Sequence, residues 1–258
     1  MTTIYFLGTS DAQGVPRLGC TCQVCTSHNN KNNRSRSSLL VSEASSQLLI
    51  DISPDFRMQF MPISYRMQVI PDVLVTHVHY DHIGGLGDFS DLCFWQNGDA
   101  RIISPNDVSD DLTGRYGYVK HRKGVTFCAQ TFWDWGCWSV EFHRVNHGHN
   151  GYSYGMIFKK SNYKWGYFPD AIDLSPQEME PMRGCDLLIL GTTFWEERTA
   201  FCMRSVHDVQ EALVLKEKLE IREMILTHLS HDIEYDHHSA MLPRGVTFAY
   251  DGRQVTLE

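Results

Sequence analysis

The segment Thr76–His82 constrains this chain more than any other part of its sequence. Four of its side chains are of types that commonly bind metals: His77, His79, Asp81 and His82. The segment follows the apolar run Val73–Val75, which predicts a buried strand, and precedes Gly84, which allows a close turn into a helix. Imidazole suits zinc, and carboxylate widens the choice toward manganese. The segment therefore predicts a loop at a strand end that binds two divalent metal ions.

Other short apolar runs also end in polar residues, and each predicts a buried strand. These runs are Ile4–Leu7, Leu48–Ile50, Leu187–Leu190 and Met224–Leu226. Residues 152–168 predict a hairpin of two strands, and residues 205–219 predict an amphipathic helix. Because α/β proteins place ligands at the carboxyl ends of such strands, the sequence predicts a layered α/β fold with its site there. No linker is evident, which predicts one domain over residues 1–258.

The charge and the apolar content of the chain disfavour nucleic acid and membranes as partners. The 23 basic and 31 acidic residues give a net charge of −8, which disfavours binding to polymeric nucleic acid. No apolar run reaches the length of about 18 residues that spans a membrane. Residues 1–7 lack the basic and long apolar regions of a secretory signal. We expect a cytoplasmic protein with no membrane partner that acts on a small molecule.

A cysteine cluster predicts a second, structural metal site. Its C-x-C-x-x-C pattern comprises Cys20, Cys22 and Cys25. In a reducing compartment, such a cluster indicates metal ligands rather than disulfides. Three thiolates need one more ligand for a closed tetrahedral zinc site, and His231 is the favoured residue, with His28 as the alternative. The predicted zinc loop spans about residues 19–38 and has no role in chemistry.

The remaining cysteines and histidines are expected to be structural. We expect five cysteines to be small buried apolar side chains: Cys93, Cys128, Cys137, Cys185 and Cys202. Five histidines lack any ligand context and are expected to be solvated or hydrogen-bonded: His28, His121, His143, His237 and His238. The sequence therefore predicts two metal sites that contain histidine, and structural roles for the remaining cysteines and histidines.

The H-x-H-x-D-H pattern of residues 77–82 resembles the metallo-β-lactamase superfamily. That superfamily has a further histidine, an acid and a final histidine, each after a strand. The residues that match in order and context are His147, Asp170 and His228. The resemblance implies an αββα sandwich, in which two mixed β-sheets are flanked by helices, with the N-terminal zinc loop as an addition. It also implies two divalent metal ions, manganese or zinc, in the active site.

The resemblance assigns a set of ligands to each ion. The first ion would be bound by His77, His79 and His147, and the second by Asp81, His82 and His228. Asp170 would bridge the two ions. His149 is the nearest alternative to His147, and Asp173 is a weaker alternative to Asp170.

The opening Gly8–Pro16, followed by the cysteine pattern, resembles the PhnP-type phosphoribosyl cyclic phosphodiesterases and the related pyrroloquinoline-quinone biosynthesis B proteins. The complete ligand set favours the phosphodiesterases. This implies hydrolysis of a small cyclic or nucleotide-like phosphodiester, of the 5-phosphoribosyl 1,2-cyclic phosphate type, by a hydroxide that bridges the metals. It also implies that His207, with Asp81, acts in catalysis, since His207 matches the proton donor to the leaving group. The family further suggests a homodimer.

Two other functions remain open, and the sequence differs from the family pattern in two places. Another hydrolase of the fold, such as a thioesterase or lactonase, is one alternative, and a non-hydrolytic cofactor-biosynthesis protein is the other. The turn at Asp51–Pro54 lacks the glycine that usually follows the acid in the family. The aromatic segments 133–138 and 194–201 match nothing in the family and are candidates for the wall of the substrate site.

Overall fold

Two β-sheets form the centre of the molecule, in a computed structural model that describes residues 1–63 and 70–257. The first sheet contains, in spatial order, β14 (Gln254–Leu257), β1 (Thr2–Gly8), β2 (Ser38–Glu43), β3 (Ser46–Ile50), β4 (Asp72–Leu74), β5 (Ala100–Ser104) and β6 (Val125–Ala129). The second contains β13 (Val246–Phe248), β12 (Glu223–Thr227), β11 (Leu187–Gly191), β10 (Tyr163–Phe168), β9 (Tyr152–Lys160), β8 (Trp138–Asn146) and β7 (Phe132–Trp135).

Short helices connect the strands and flank the sheets. They are α1 (Phe56–Phe60), α2 (Tyr80–Ile83), α3 (Leu86–Trp95), α4 (Asn106–Arg115), α5 (Gly117–Lys120), α6 (Pro176–Met179), α7 (Val209–Lys218) and α8 (Tyr235–Ser239). None of these helices has the length and apolar content needed to cross a bilayer. Both sheets mix parallel and antiparallel pairs, which confirms the predicted sandwich of two mixed sheets.

The strand directions bring several strand ends to one edge. Strands β10, β11 and β12 are parallel neighbours, and β8 runs in their direction because two antiparallel pairings separate it from β10. In the first sheet, β3 to β6 are parallel. The polar residues that follow these strands are therefore presented together at carboxyl ends, as the sequence predicts.

Burial on both faces explains why β11 is apolar throughout. Leu187 and Ile189 belong to the core between the sheets, whereas Leu188 and Leu190 pack with residues of α6 and α7 on the outer face. A strand covered on both sides has no solvent-facing position, so its apolar residues form a continuous run instead of alternating. The prediction of a buried strand here is confirmed.

The helix predicted over residues 205–219 begins later in the structure. Helix α7 starts at Val209, because the Asp208 side chain accepts a hydrogen bond from the backbone N–H of Glu211 while the Glu211 side chain accepts one from Asp208 N–H. This reciprocal cap fixes the N-terminal end of the helix at Val209. Residues 205–208 therefore lie in irregular backbone before α7, and His207 is not part of the helix.

Two of the five cysteines predicted to be buried are exposed. Cys93 and Cys185 are buried and Cys128 is partly buried, but Cys137 and Cys202 lie at the surface. Cys137 occupies the tight turn between β7 and β8, and the Cys202 segment is a single turn of 3₁₀ helix. The prediction of burial was wrong at these two positions, because both lie in surface turns despite their apolar neighbours in the sequence.

Candidate metal centre

The Thr76–His82 segment combines extended and helical backbone. The chain leaves β4 and stays extended through His79, whose backbone angles are φ −69° and ψ 149°. Helix α2 then begins at Tyr80, so Asp81 and His82 lie in its first turn. The change of backbone geometry lets residues so close in sequence present their side chains around two neighbouring points.

The remaining predicted ligands come from the second sheet. His147 follows β8, Asp170 follows β10 and His228 follows β12. A Cβ atom at Gly191 would lie 1.6 Å from the carbonyl oxygen of Pro169, so the close approach that sets Asp170 in place needs a glycine there. His228 has a φ of 59°, a left-handed conformation that is costly for a residue with a Cβ atom.

The structure brings the seven predicted residues of the active site together. Two groups have donor atoms within 4.8 Å of one another: His77, His79, His147 and Asp170, and Asp81, His82, Asp170 and His228. Asp170 is common to both groups. Its Oδ2 lies 3.1 Å from His77 Nε2 and 3.0 Å from His82 Nε2, and its Oδ1 lies 3.2 Å from His228 Nε2. One carboxylate thus faces both groups.

The donor atoms converge, and several of them have no hydrogen-bond partner in the described part of the chain. His79 presents Nδ1, which lies 2.9 Å from Nε2 of His77 and 3.3 Å from Nε2 of His147. Among the described residues, the buried atoms His82 Nε2, His228 Nε2 and Asp170 Oδ1 have no hydrogen-bond partner. Buried polar atoms without partners are costly, and a shared cation would satisfy them. The residues therefore fit two divalent metal ions.

Burial and mutual charge dominate the electrostatics of the centre. Burial lowers the pKa of His77 to about 3, so this imidazole is neutral and able to bind a metal. Burial alone would raise the pKa of Asp170, but His228, His147 and His82 hold it well below its usual range. This carboxylate is therefore ionised, as a bridging ligand must be.

A further buried acid, Asp51, orients the ring of His82 by accepting a hydrogen bond from its other nitrogen. Its Oδ2 accepts a hydrogen bond from His82 Nδ1 at 2.7 Å, and its carboxylate also accepts from the backbone and hydroxyl of Thr76. His147 is oriented in the same way, since its Nδ1 donates to the Ser205 carbonyl oxygen at 2.6 Å. Such partners fix which ring nitrogen points at a metal. The sequence placed Asp51 at a strand end but did not identify this role.

The alternative ligands lie outside both groups. His149 and Asp173 are exposed, although each is only a few residues from the favoured one. His207 is buried beside the centre: its backbone N–H donates to the carbonyl of Ala171, next to Asp170, and its carbonyl accepts from Thr193. Both ring nitrogens of His207 are buried and lack a hydrogen-bond partner among the described residues.

The cysteine cluster forms a third group of donor atoms with His231. The Sγ atoms of Cys20, Cys22 and Cys25 lie 3.3, 3.6 and 3.4 Å from His231 Nδ1. A tetrahedral zinc ion with its usual bond lengths would separate sulfur and nitrogen ligands by about 3.6 Å. His28 is exposed and lies outside the group. The four residues fit a closed site that attaches the N-terminal loop to the segment after β12.

The two unmatched aromatic segments have different positions. Residues 194–199 line a cavity of about 690 Å³ together with Asp232 and His238, and Trp195 packs on His238 with ring centroids 4.9 Å apart. Trp138 instead begins β8, the strand that ends just before His147. The segment 133–138 is therefore a full strand length away from the metal centre and does not line the site.

The chain resembles several known proteins. A sequence profile of the beta-lactamase superfamily domain matches residues 46–229. The crystal structure of a diphosphatase from the PhnP family is 26% identical, with a TM-score of 0.87, and the match covers 98% of this chain and 96% of that one. PqqB from Methylobacterium extorquens is 18% identical, with a TM-score of 0.78 and coverage of 99% and 100%.

A curated relative extends this comparison. An octanoyltransferase from Porphyromonas gingivalis is 28% identical over 98% of this chain but only 51% of its own length, so the chain spans about half of that protein. The superfamily profile spans the segment from β3 to His228 and includes all seven residues of the two histidine and aspartate groups. This chain therefore belongs to the metallo-β-lactamase superfamily, close to its PhnP-type members.

Proposed function

We propose that this protein hydrolyses a small phosphodiester, cyclic or nucleotide-like, of the 5-phosphoribosyl 1,2-cyclic phosphate type. The observation that supports this most is the complete double donor set around Asp170, three of whose buried atoms lack hydrogen-bond partners among the described residues. Two metals that share a carboxylate are suited to a substrate with two non-bridging phosphoryl oxygens. The 26% identity to a diphosphatase of the PhnP family is consistent with phosphoryl chemistry.

The proposed reaction divides between the metals and the residues around them. Two divalent ions, manganese or zinc, would polarise the phosphoryl oxygens and acidify the attacking water. Asp170 and Asp81 would hold the ions, and Asp51 and Thr76 would keep His82 oriented. His207 would donate a proton to the departing oxygen, a contribution of about 10²- to 10⁴-fold in such reactions.

A cation beside the Thr76–His82 segment supports an anionic substrate. The Arg115 guanidinium, at the end of α4, donates to the carbonyl oxygen of Val78 at 2.8 Å, between His77 and His79 in the chain. This side chain is exposed. It therefore places a positive charge beside the metal loop of a chain whose net charge is −8. A local positive charge of this kind attracts an anionic substrate.

The test is hydrolysis of bis(p-nitrophenyl) phosphate by the metal-loaded enzyme, with the monoester p-nitrophenyl phosphate as the control substrate. We expect turnover of the diester only. His79→Ala removes a ligand of the first group and should abolish turnover, whereas His121→Ala, at an exposed site after α5, should not. Absence of turnover with manganese, zinc and nickel, despite bound metal, would contradict the proposal.

The octanoyltransferase relative favours an acyl thioester as a second substrate class. Two metals can polarise a carbonyl oxygen as readily as a phosphoryl oxygen. The matched region is only half of that protein, so the transfer activity in its name is not assigned to this half. Octanoyl-coenzyme A, assayed by release of free thiol, is the matched substrate. Turnover of this thioester without turnover of the diester would replace the first proposal with the second.

A further inference from the structure

The carboxylate of Glu211 lies between His207 and a buried arginine. Its Oε2 is 3.4 Å from His207 Nδ1, at the outer limit of a hydrogen bond. Arg204 donates to both oxygens of the same carboxylate, at 2.9 Å to Oε1 and 2.7 Å to Oε2. This bidentate pairing restricts the carboxylate to one plane and one direction. The imidazole therefore faces an acceptor whose position is fixed.

Arg204 is itself held firmly. Its side chain is only 7% exposed, and its Nε donates to Glu197 at 3.1 Å, while Nη2 lies 3.4 Å from Asp208. The carbonyl of Arg204 accepts from the backbone of His149. A buried guanidinium with carboxylates on several sides has little freedom to rotate. Glu211 is thus anchored through a network instead of being a mobile surface acid.

We propose that Glu211 is a positioning residue that accepts the Nδ1 proton of His207 and so keeps Nε2 as the atom that donates to the leaving group. The inference rests on the proposed phosphodiesterase function for its kinetic test. In enzymes that use histidine as an acid or base, a carboxylate at one ring nitrogen fixes the tautomer and orientation needed at the other. In a structure without substrate such contacts are often long and shorten in the complex.

The charge state of Glu211 suits this role. Burial alone would raise its pKa, but the nearby His207 ring and hydrogen bonds from Arg204 and the Asp208 backbone lower the pKa of Glu211 to about 2. It is therefore an ionised acceptor throughout the pH range in which hydrolases work. The same side chain caps α7, so its backbone position is set by the helix and not by the loop.

The proposed step consumes one water molecule and returns His207 to its starting protonation state. A water oxygen bonds to phosphorus as the bond from phosphorus to the leaving oxygen breaks. His207 enters the step with a proton on each ring nitrogen, and its Nε2 gives one to the leaving oxygen, which becomes a hydroxyl group. One proton of the attacking water stays on the product phosphate, and the other returns to Nε2. The Nδ1 proton remains between His207 and Glu211 throughout.

The kinetic test uses Glu211→Gln, because glutamine keeps an acceptor for the helix cap but carries no charge. The substrates are a series of methyl aryl phosphates whose leaving phenols become steadily more basic. Proton donation matters little for a good leaving group and strongly for a poor one. We expect kcat to fall less than about 3-fold for p-nitrophenol and about 10- to 100-fold for the most basic phenol.

Two variants separate positioning from simple stability. Glu217→Gln removes an exposed charge from the same helix and should leave the series unchanged. In a His207→Ala background, Glu211→Gln should cause no further loss, because a residue that acts through another has no effect once that residue is gone. Equal losses across the series, or additive losses in the double variant, would overturn the proposal.

A spectroscopic measurement tests the contact without any turnover. Long-range ¹H–¹⁵N correlation spectra distinguish a protonated from an unprotonated ring nitrogen, and the resonance lost in His207→Ala assigns this ring. We expect Nδ1 of His207 to carry a proton in the wild-type protein and to lose it in part in Glu211→Gln. An unchanged Nδ1 resonance would count against the contact, even if diester turnover itself were absent.

Discussion

Asp170 shows how much a single side chain can contribute at this centre. Its two oxygens face different histidines, at 3.0 to 3.2 Å, and it belongs to both donor groups. Because the carboxylate is buried and ionised, its charge offsets that of cations on both sides. Its loss therefore affects two sites at once, whereas the loss of a histidine affects one.

We expect Asp170→Asn to lower turnover by at least about 100-fold, since the variant keeps the shape of the side chain but not its charge. The number of metal ions bound at the active site should fall below two. Metal content measured by elemental analysis, together with diester turnover, checks this. The matched control is Asp173→Asn, which alters an exposed acid three residues away. A variant that kept both ions would show that Asp170 does not bridge them.

The role of Asp51 leads to a separate prediction. Asp51→Asn should weaken metal binding by about 10- to 100-fold, because His82 loses the acceptor that fixes its ring. A competition titration with a chromophoric chelator measures the affinity. Asp72→Asn changes another buried acid, one that pairs with Arg101 away from the centre, and should leave the affinity unchanged. If both variants bound metal like the wild type, the orienting role of Asp51 would be wrong.

The members of the two histidine and aspartate groups could be predicted from the sequence, but the supporting acids Asp51 and Glu211 could not. Four of the ligands form one local pattern, and the others follow strands in a recognisable order, so the sequence alone indicates them. Asp51 and Glu211 act through contacts that exist only once distant segments meet. The signals available were weak: an acid at a strand end, and the Asp208/Glu211 capping pattern before an apolar run. Neither pattern reveals which histidine the acid would contact.

The loop between β1 and β2 is held in place by its contacts with the segment after β12. Between β1 and β2 the only regular structure is a short turn of 3₁₀ helix at Asn30–Asn32, within the described residues. Arg34 is buried in this loop and donates to the carbonyls of Ser230 and Ile233, next to His231. The same two segments thus meet through the cysteine group and through one arginine.

We expect Cys22→Ala to lower stability and soluble yield without changing the residues of the active centre, because the loop would lose the ion that closes it. Zinc content should fall by one ion per chain, and the Tm should fall by several degrees. Calorimetry and elemental analysis measure both. Cys202→Ala, at an exposed cysteine outside the group, serves as the control. Unchanged zinc content and Tm would contradict a structural site.

The boundary of α7 shows where prediction of elements fails. Apolar spacing predicted a helix from Ser205, yet the reciprocal hydrogen bonds of Asp208 and Glu211 begin it at Val209. Val206 is buried all the same, in irregular backbone. Periodicity reports which side chains are buried, and it cannot distinguish a helical turn from a buried loop that precedes one.

The candidate metal centre lies between the two sheets and takes its donor residues from both. The first sheet contributes the loop after β4, and the second contributes residues after β8, β10 and β12. Ligands held by both halves resist separation of those halves, since a bound ion stabilises only the assembled state. The two-layer arrangement was predictable from strand patterns and family resemblance. The pairing of β14 with β1, across the ends of the chain, was not, because nothing local in either strand indicates its neighbour.

Removal of metal should therefore affect global stability. At metal concentrations about 1,000-fold above the dissociation constant, binding at one site contributes about 4 kcal/mol. We expect a chelator to lower the Tm by about 10 °C and added metal to restore it. In Asp170→Ala, which lacks the shared carboxylate, the effect of the chelator should be smaller and limited to loss of the ion at the cysteine group. An equal shift in both proteins would mean that the stabilising metal is bound elsewhere.

Asp251 provides a prediction about pH. It accepts hydrogen bonds from Thr9 and Ser35, and burial raises its pKa from 3.8 to about 6. Between about pH 4 and 6 the folded state therefore binds more protons than the unfolded state, so this group's contribution to stability falls as pH rises. Asp251→Asn should be relatively more stable at pH 7 than at pH 4, by at most about 3 kcal/mol. Urea unfolding of both proteins at each pH measures the difference, and parallel curves would contradict the raised pKa.

The joint position of His228 and His231, three residues apart after β12, has a consequence for biosynthesis. The dinuclear donor set is incomplete without His228, and the cysteine group is incomplete without His231. A nascent chain on the ribosome displays the cysteine pattern and the histidine loop long before either set can close. Neither donor set can therefore close around a metal until the segment after β12 has left the ribosome. Any delay at that stage leaves thiols and imidazoles open to the wrong ion.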